Sequence, residues 1–176
     1  VGKQDNCQVA VSLSLATERF SVPIGYRMYL PKDWSVDLKR RERAKVPEDI
    51  EFATKPEIAM TLIDEAMAAG VAPKIAVADA GYGIDTAFRD HLTKRGLQYA
   101  VGVTSVVSVW PEGTAPLPPD EWSGQGRKPR LLRRDAQHKP VSVKALAMAL
   151  KPRQWKNITW REGTNLALTS RFAAVR

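Results

Sequence analysis

The sequence predicts an α/β fold built on a mixed sheet, and three patterns carry that expectation. Residues 7–16 alternate between apolar Val9, Val11, Leu13 and Leu15 and small or polar neighbours, and residues 20–30 alternate again, as an antiparallel hairpin does. Residues 74–103 read as a buried strand (75–78), a glycine turn, a helix and a second strand (98–103), which is a βαβ unit. Asp79 stands at the end of the first strand of that unit. In open α/β sheets chemistry collects there, because side chains leave the core while a rigid scaffold still aims them.

Taken in order, the first hairpin turns through Thr17, Glu18 and Arg19, and Pro23, which cannot donate a ladder hydrogen bond, pushes its second strand toward a sheet edge. Residues 31–53 mix proline, tryptophan and charge and predict a loop with a short helix. Their run KRRERAK (39–45) holds five cations, but Asp37, Glu42, Glu48 and Asp49 surround it, so a solvated, self-paired surface is expected. Thr54 and Glu57 form a capping box, Pro56 fits the first turn, and Ile58, Leu62, Ile63 and Ala66 make an apolar stripe before Gly70. In the βαβ unit Asp85 caps a helix carrying Phe88 and Leu92, and Gly96 ends it. His91, near that stripe, is assigned no role.

After Val103 the texture changes. Residues 103–110 extend the strand or start another, and residues 111–129 hold too many prolines and glycines for an element interior. The loop ends in RKPRLLRR (127–134), with cations at Arg127, Lys128, Arg130, Arg133 and Arg134 and no acid among them. Without neutralising carboxylates it is the better nucleic-acid candidate, weighed against a plain solvated loop. Residues 142–150 suit a short helix stopped before Pro152, and residues 155–161 and 166–175 form a further hairpin through a Glu162-Gly163 turn. Trp110, Trp122, Trp155 and Trp160 gather around this region, suited either to stacking on bases or to packing a small β unit. The division expected is a core over 1–103 and a basic, partly β insertion over 104–176.

Composition narrows the partners. With 27 Lys and Arg against 19 Asp and Glu, the formal net charge of +8 favours a polyanionic partner such as nucleic acid or an anionic membrane surface, weighed against a plain basic protein. Cys7 is the lone cysteine, too little for a disulfide framework or a structural zinc site. No apolar run has the length of a membrane span and no signal peptide precedes the first strand, so a cytoplasmic protein is expected. Opening at Val1 without methionine and ending at Arg176 within a strand-like pattern, the sequence reads as a piece of something longer.

A carboxylate at a strand end in a basic protein can hold a hard divalent cation beside a phosphodiester, and two such metals stabilise both the attacking and the leaving oxygen of an in-line displacement. One carboxylate does not hold two metals. The residues alone therefore leave Asp79 open between a ligand and a turn- or helix-capping group.

The segment VADAGYGIDTAFRDHLTKRGLQYAVGV resembles the second-aspartate region of bacterial insertion-sequence transposases of the DDE superfamily endonuclease group. NCQVAVSLSLA, FSVPIGYRMYLPKDW, SVW and the closing TWREGTNLALTSRFAAVR extend the resemblance over nearly the whole chain. It implies a ribonuclease-H-like fold in which three acids bind two Mg²⁺ ions that cut and rejoin transposon ends, often as oligomers on paired DNA ends near the nucleoid. Asp79 matches the second acid. The first would lie on a strand preceding Val1, and the glutamate beyond Arg176 in a Tyr-x-x-Arg-x-x-x-Glu helix; neither Asp5 nor Glu162 matches them. That first strand would lie between the second and fourth of the sheet, so without it two backbone edges stay unpaired and an apolar seam stays open. The expectation is a chain inactive and poorly stable on its own.

Two other readings remain. VADAGYG also resembles the cofactor turn of S-adenosylmethionine-dependent methyltransferases, with Asp79, Gly81 and Gly83 matching, although a hairpin and a helix precede it and no acid ends the next strand. A non-catalytic DNA-binding remnant would need only the phosphate contacts of the basic runs.

Overall fold

The computed structural model describes residues 8–72, 75–162 and 166–175. Cys7 and most of the turn between the last two strands lie outside them. The chain divides into two compact units, Val1–Val103 and Thr104–Arg176.

In the first unit, β1 (Val9–Ala16) and β2 (Ser21–Tyr29) pair antiparallel. Thr17 shapes their turn, its hydroxyl accepting from the Arg19 and Phe20 amides. The register slips between Leu13, opposite Gly25, and Ser14, opposite Pro23, so Ile24 is the extra residue of a bulge beside the proline that cannot join the ladder. Residues directly opposite share a face. The face carrying Val11 and Leu13 therefore also carries Arg27 and Gly25, whereas Tyr26 and Met28 lie on the other side, with Tyr26 74% exposed.

Residues 31–53 form two short helices rather than a loop with one: α1 (Lys32–Val36) and α2 (Leu38–Arg43), the second capped by Asp37 accepting from the Arg40 amide. Two cations of the first basic run, Arg40 and Arg41, are used locally. Arg40 pairs with Asp37 at 3.4 Å and lies over Trp34, and Arg41 donates to the carbonyls of Ser35, Pro47 and Glu48.

The helix α3 (Lys55–Ala68) starts at the Thr54–Glu57 capping box, with the Thr54 amide 2.7 Å from Glu57 Oε2, and Gly70 follows its end with φ of 88°. Its buried face, Ile58, Leu62 and Ile63, covers the centre of the hairpin. Gly25 faces Leu62, whose Cδ2 would lie 3.4 Å from a Cβ there, and Arg27 reaches Glu65 at 2.8 Å.

Next, β3 (Ile75–Ala78) leads through α4 (Ala80–Gly83) and α5 (Thr86–Lys94) to β4 (Gln98–Val101), which runs parallel to β3. Asp85 caps α5 through the Phe88 amide at 2.8 Å, and Gly96, with φ of 70°, ends it. Two expectations change here. The strand β3 is not buried: Ala76 and Ala78 face the core, but Val77 on the other face is 80% exposed because none of the described residues of unit 1 forms a layer over that side. The glycine turn is the helix α4, and neither Gly81 nor Gly83 takes positive φ.

The core has two adjoining clusters, Val11 with Ile58 and Leu62, and Ile63 with Phe88, Leu92 and Leu97; Leu13, Ala59 and Tyr82 touch both. Yet the antiparallel and parallel pairs remain separate sheets. Among the described residues β1 pairs only with β2, and β3 only with β4.

In the second unit β5 (Ser108–Val109) starts a new pair with β6 (Val141–Ser142), and α6 (Val143–Ala149) follows, capped by Ser142. A 3₁₀ turn at Pro152–Gln154 precedes the hairpin of β7 (Lys156–Glu162) and β8 (Ala167–Phe172). None of the described residues of this unit is a buried hydrophobic, so its tryptophans do not build a core. They are engaged singly: Trp110 under Arg134, Trp155 under Arg171, Trp122 donating to the Gly126 carbonyl and Trp160 to Ser170 Oγ.

Candidate catalytic carboxylate and basic loop

Asp79 is exposed at the carboxyl end of β3 and caps α4, its Oδ1 accepting from the Gly81 amide at 2.7 Å. Both parts of the sequence's open choice are therefore geometrically available: one oxygen caps, and Oδ2 accepts no hydrogen bond among the described residues. The strand end is fixed from behind by two glycines. A Cβ on Gly83 would overlap the Gly102 carbonyl, and one on Gly102 would come within 2.9 Å of the Ala80 nitrogen, so α4 rests directly on the end of β4. The Tyr82 side chain goes inward against Phe88, ring centroids 5.7 Å apart. Burial, helped by the Asp79 charge, raises its phenol above the ordinary range, so Tyr82 stays a neutral packing residue.

No group of three His, Cys, Asp or Glu side chains able to hold a metal occurs among the described residues. A lone exposed carboxylate with one oxygen already bonded does not by itself fit a divalent ion, still less two.

Beside this strand end lies a second feature of the same unit, an apolar cleft of about 840 Å³. One wall is β1 from Val11 to Ala16, the other is β3, and Ala59, Leu62, Ile63 and Phe88 line it as well. Two strand edges with no partner strand among the described residues thus bound an apolar trough.

In the second unit the basic run borders a concavity of about 490 Å³ whose lining includes Arg127, Lys128, Arg130, Arg133 and Asp120. These cations are not equivalent. Arg127, Lys128 and Arg130 are exposed and form no ion pair among the described residues. Arg134 lies over the Trp110 ring, 5.9 Å from its centroid. Arg133 pairs with Asp120 at 2.6 Å, donates from Nε to the Pro118 carbonyl at 3.0 Å, and exchanges backbone hydrogen bonds with Leu117. Sequence reasoning missed Asp120, which lies across the loop from Arg133.

It also left His91 without a role. The ring Nε2 lies 2.9 Å from Asp64 Oδ1, while Arg95 reaches Oδ2 at 2.7 Å, so one α3 carboxylate ties down a side chain of α5 and that of the residue after it. No local pattern announces a pair 27 residues apart.

No helix among the described residues is long and apolar enough to cross a membrane. Compared with known proteins, residues 1–167 match the family model described as DDE superfamily endonuclease. No curated protein matches the chain, and no solved structure does.

Proposed function

Because the chain belongs to the DDE superfamily endonuclease family, we propose that it serves an insertion-sequence transposase that cuts and joins DNA ends, with Asp79 as one carboxylate of the metal-binding set. The observation that carries this reading is the position of Asp79, exposed at the end of a parallel strand, on a chain matched by an endonuclease family over residues 1–167. In such a site divalent metal supplies charge stabilisation at the scissile phosphate. The chain's own part is to hold one carboxylate still, which the α4 cap and the Gly83–Gly102 contact do. The other carboxylates are not among the described residues near Asp79, and Mg²⁺ is the ion proposed.

The fold proposed is ribonuclease-H-like, with a further strand in the trough between β1 and β3. Two unpaired edges and an apolar lining support it, since a strand there would satisfy both ladders and bury the seam. For DNA contact we propose the basic loop, with Arg127, Lys128 and Arg130 as phosphate ligands and Arg133 and Arg134 in its frame.

The test is nicking of supercoiled plasmid carrying the element's ends, with MgCl₂ or EDTA, by a longer protein that adds the proposed strand and the further carboxylates to this chain. Metal-dependent nicking that Asp79→Asn removes, with duplex binding retained, is the expected result. A second reading, DNA binding without chemistry, is favoured by the lone carboxylate. Salt-sensitive binding with no nicking in any divalent metal would establish it and overturn the first.

A further inference from the structure

Of the five cations in the basic run, Arg133 is the one whose charge and fork are already committed. Its main chain forms an isolated antiparallel bridge with Leu117, its Nε bonds the Pro118 carbonyl, and its Nη1 meets Asp120 at 2.6 Å. The residues between the two ends of that bridge include Gly124 and Gly126, both at positive φ, and carry Arg127, Lys128 and Arg130. A guanidinium bonded to a carboxylate and a carbonyl is held in orientation, and its charge is locally neutralised.

From this arrangement we infer that Arg133 is a positioning residue, with Asp120 as its partner: the pair closes the loop and presents Arg127, Lys128 and Arg130, and Arg133 itself does not contact phosphate. The inference rests on the proposal that this loop binds DNA, and it assigns separate tasks to residues of one run. Closing the loop beforehand spares the binding step part of the cost of ordering it. Asp120, an acid in a surface that favours anions, then has a purpose that simple charge complementarity would not give it.

Two kinds of contact leave different marks on salt dependence. A cation that displaces a counterion from duplex DNA lowers the slope of log K against log salt by about 0.9 when removed, whereas loss of positioning weakens binding at every salt and leaves the slope alone. The experiment is fluorescence-anisotropy binding of a duplex by the whole chain from low to physiological salt. Arg127→Ala, Lys128→Ala and Arg130→Ala should each reduce the slope by about 0.9. Arg133→Ala and Asp120→Asn should each weaken binding by about two- to tenfold with the slope unchanged, the range for ordering one long side chain. The exchange Asp120→Arg with Arg133→Asp, which restores the pair reversed, should recover most of the affinity.

A slope reduced by about one in Arg133→Ala, or an exchange variant as weak as Arg133→Ala, would overturn the inference while leaving the DNA-binding reading intact. A wild type that binds no duplex overturns the reading beneath it, and the inference falls with it.

Discussion

Gly83 of α4 and Gly102, just beyond β4, meet backbone against backbone: a Cβ on Gly83 would overlap the Gly102 carbonyl and stand 2.9 Å from Val101 Cβ. Gly83 is helical without positive φ, so its lack of a side chain serves close approach and not turn geometry. Alanine there gains helix propensity yet must push α4 off the strand end. Gly83→Ala should destabilise unit 1 by about 1 to 3 kcal/mol, the range for overpacking a fitted contact. Urea unfolding checks it, and a variant as stable as wild type would show that α4 is free to move.

The Asp64 carboxylate, joined to His91 and Arg95, gives a pH dependence whose sign is fixed. Partial burial raises its pKa, but the hydrogen bonds from Arg95 and His91 and their charges outweigh burial and hold it below the usual range. A carboxyl depressed on folding contributes stability above its unfolded pKa of about 3.9 and loses it as pH falls through the lower folded value. Since the pair is partly exposed, its worth at neutral pH is about 0.5 to 1 kcal/mol. Asp64→Asn should therefore be less stable than wild type at pH 7 and nearly equal to it at pH 2. Denaturant midpoints at the two pH values test this.

Leu92 is 0% exposed and packs with Ile63, Phe88 and Leu97, at the junction of α3, α5 and the parallel strands. Leu92→Ala should cost about 3 to 5 kcal/mol, because rigid neighbours on every side leave a cavity that does not collapse. Against a typical domain stability of about 5 to 15 kcal/mol, that brings unit 1 close to unfolding at room temperature. A thermal melt that moves by only a degree or two would mean that the cluster repacks.

What could be read from the sequence was local. The Thr54–Glu57 box, the Asp85 cap and the stops at Gly70 and Gly96 each need only a few residues, and each is formed. The alternation that announces β1 and β2 did not tell which face of β2 α3 would cover, because the bulge at Pro23 shifts the register partway along the strand. Residues 75–78 look like a buried strand because they are wholly apolar, but burial depends on neighbours, and β3 has only one strand partner among the described residues. At the candidate site, the place of Asp79 followed from a strand before a glycine pair. Its bond to Gly81, two residues on, was one of the two roles the sequence left open, whereas the pairing of Arg133 with Asp120 was not legible, since it depends on where the chain comes back to itself.

Under the proposed function Asp79 has two tasks that substitution can separate. As the cap of α4 it needs an acceptor for the Gly81 amide, and asparagine supplies one nearly as well as aspartate, whereas alanine supplies none. As the proposed metal ligand it needs negative charge, which both replacements remove. Asp79→Asn should therefore keep stability within about 0.5 kcal/mol of wild type while abolishing metal-dependent nicking, and Asp79→Ala should abolish nicking and also cost about 1 kcal/mol. Urea unfolding beside the plasmid assay reads both tasks. If Asp79→Asn nicks as wild type does, the carboxylate is only a cap, and its place at the strand end serves the fold rather than the chemistry.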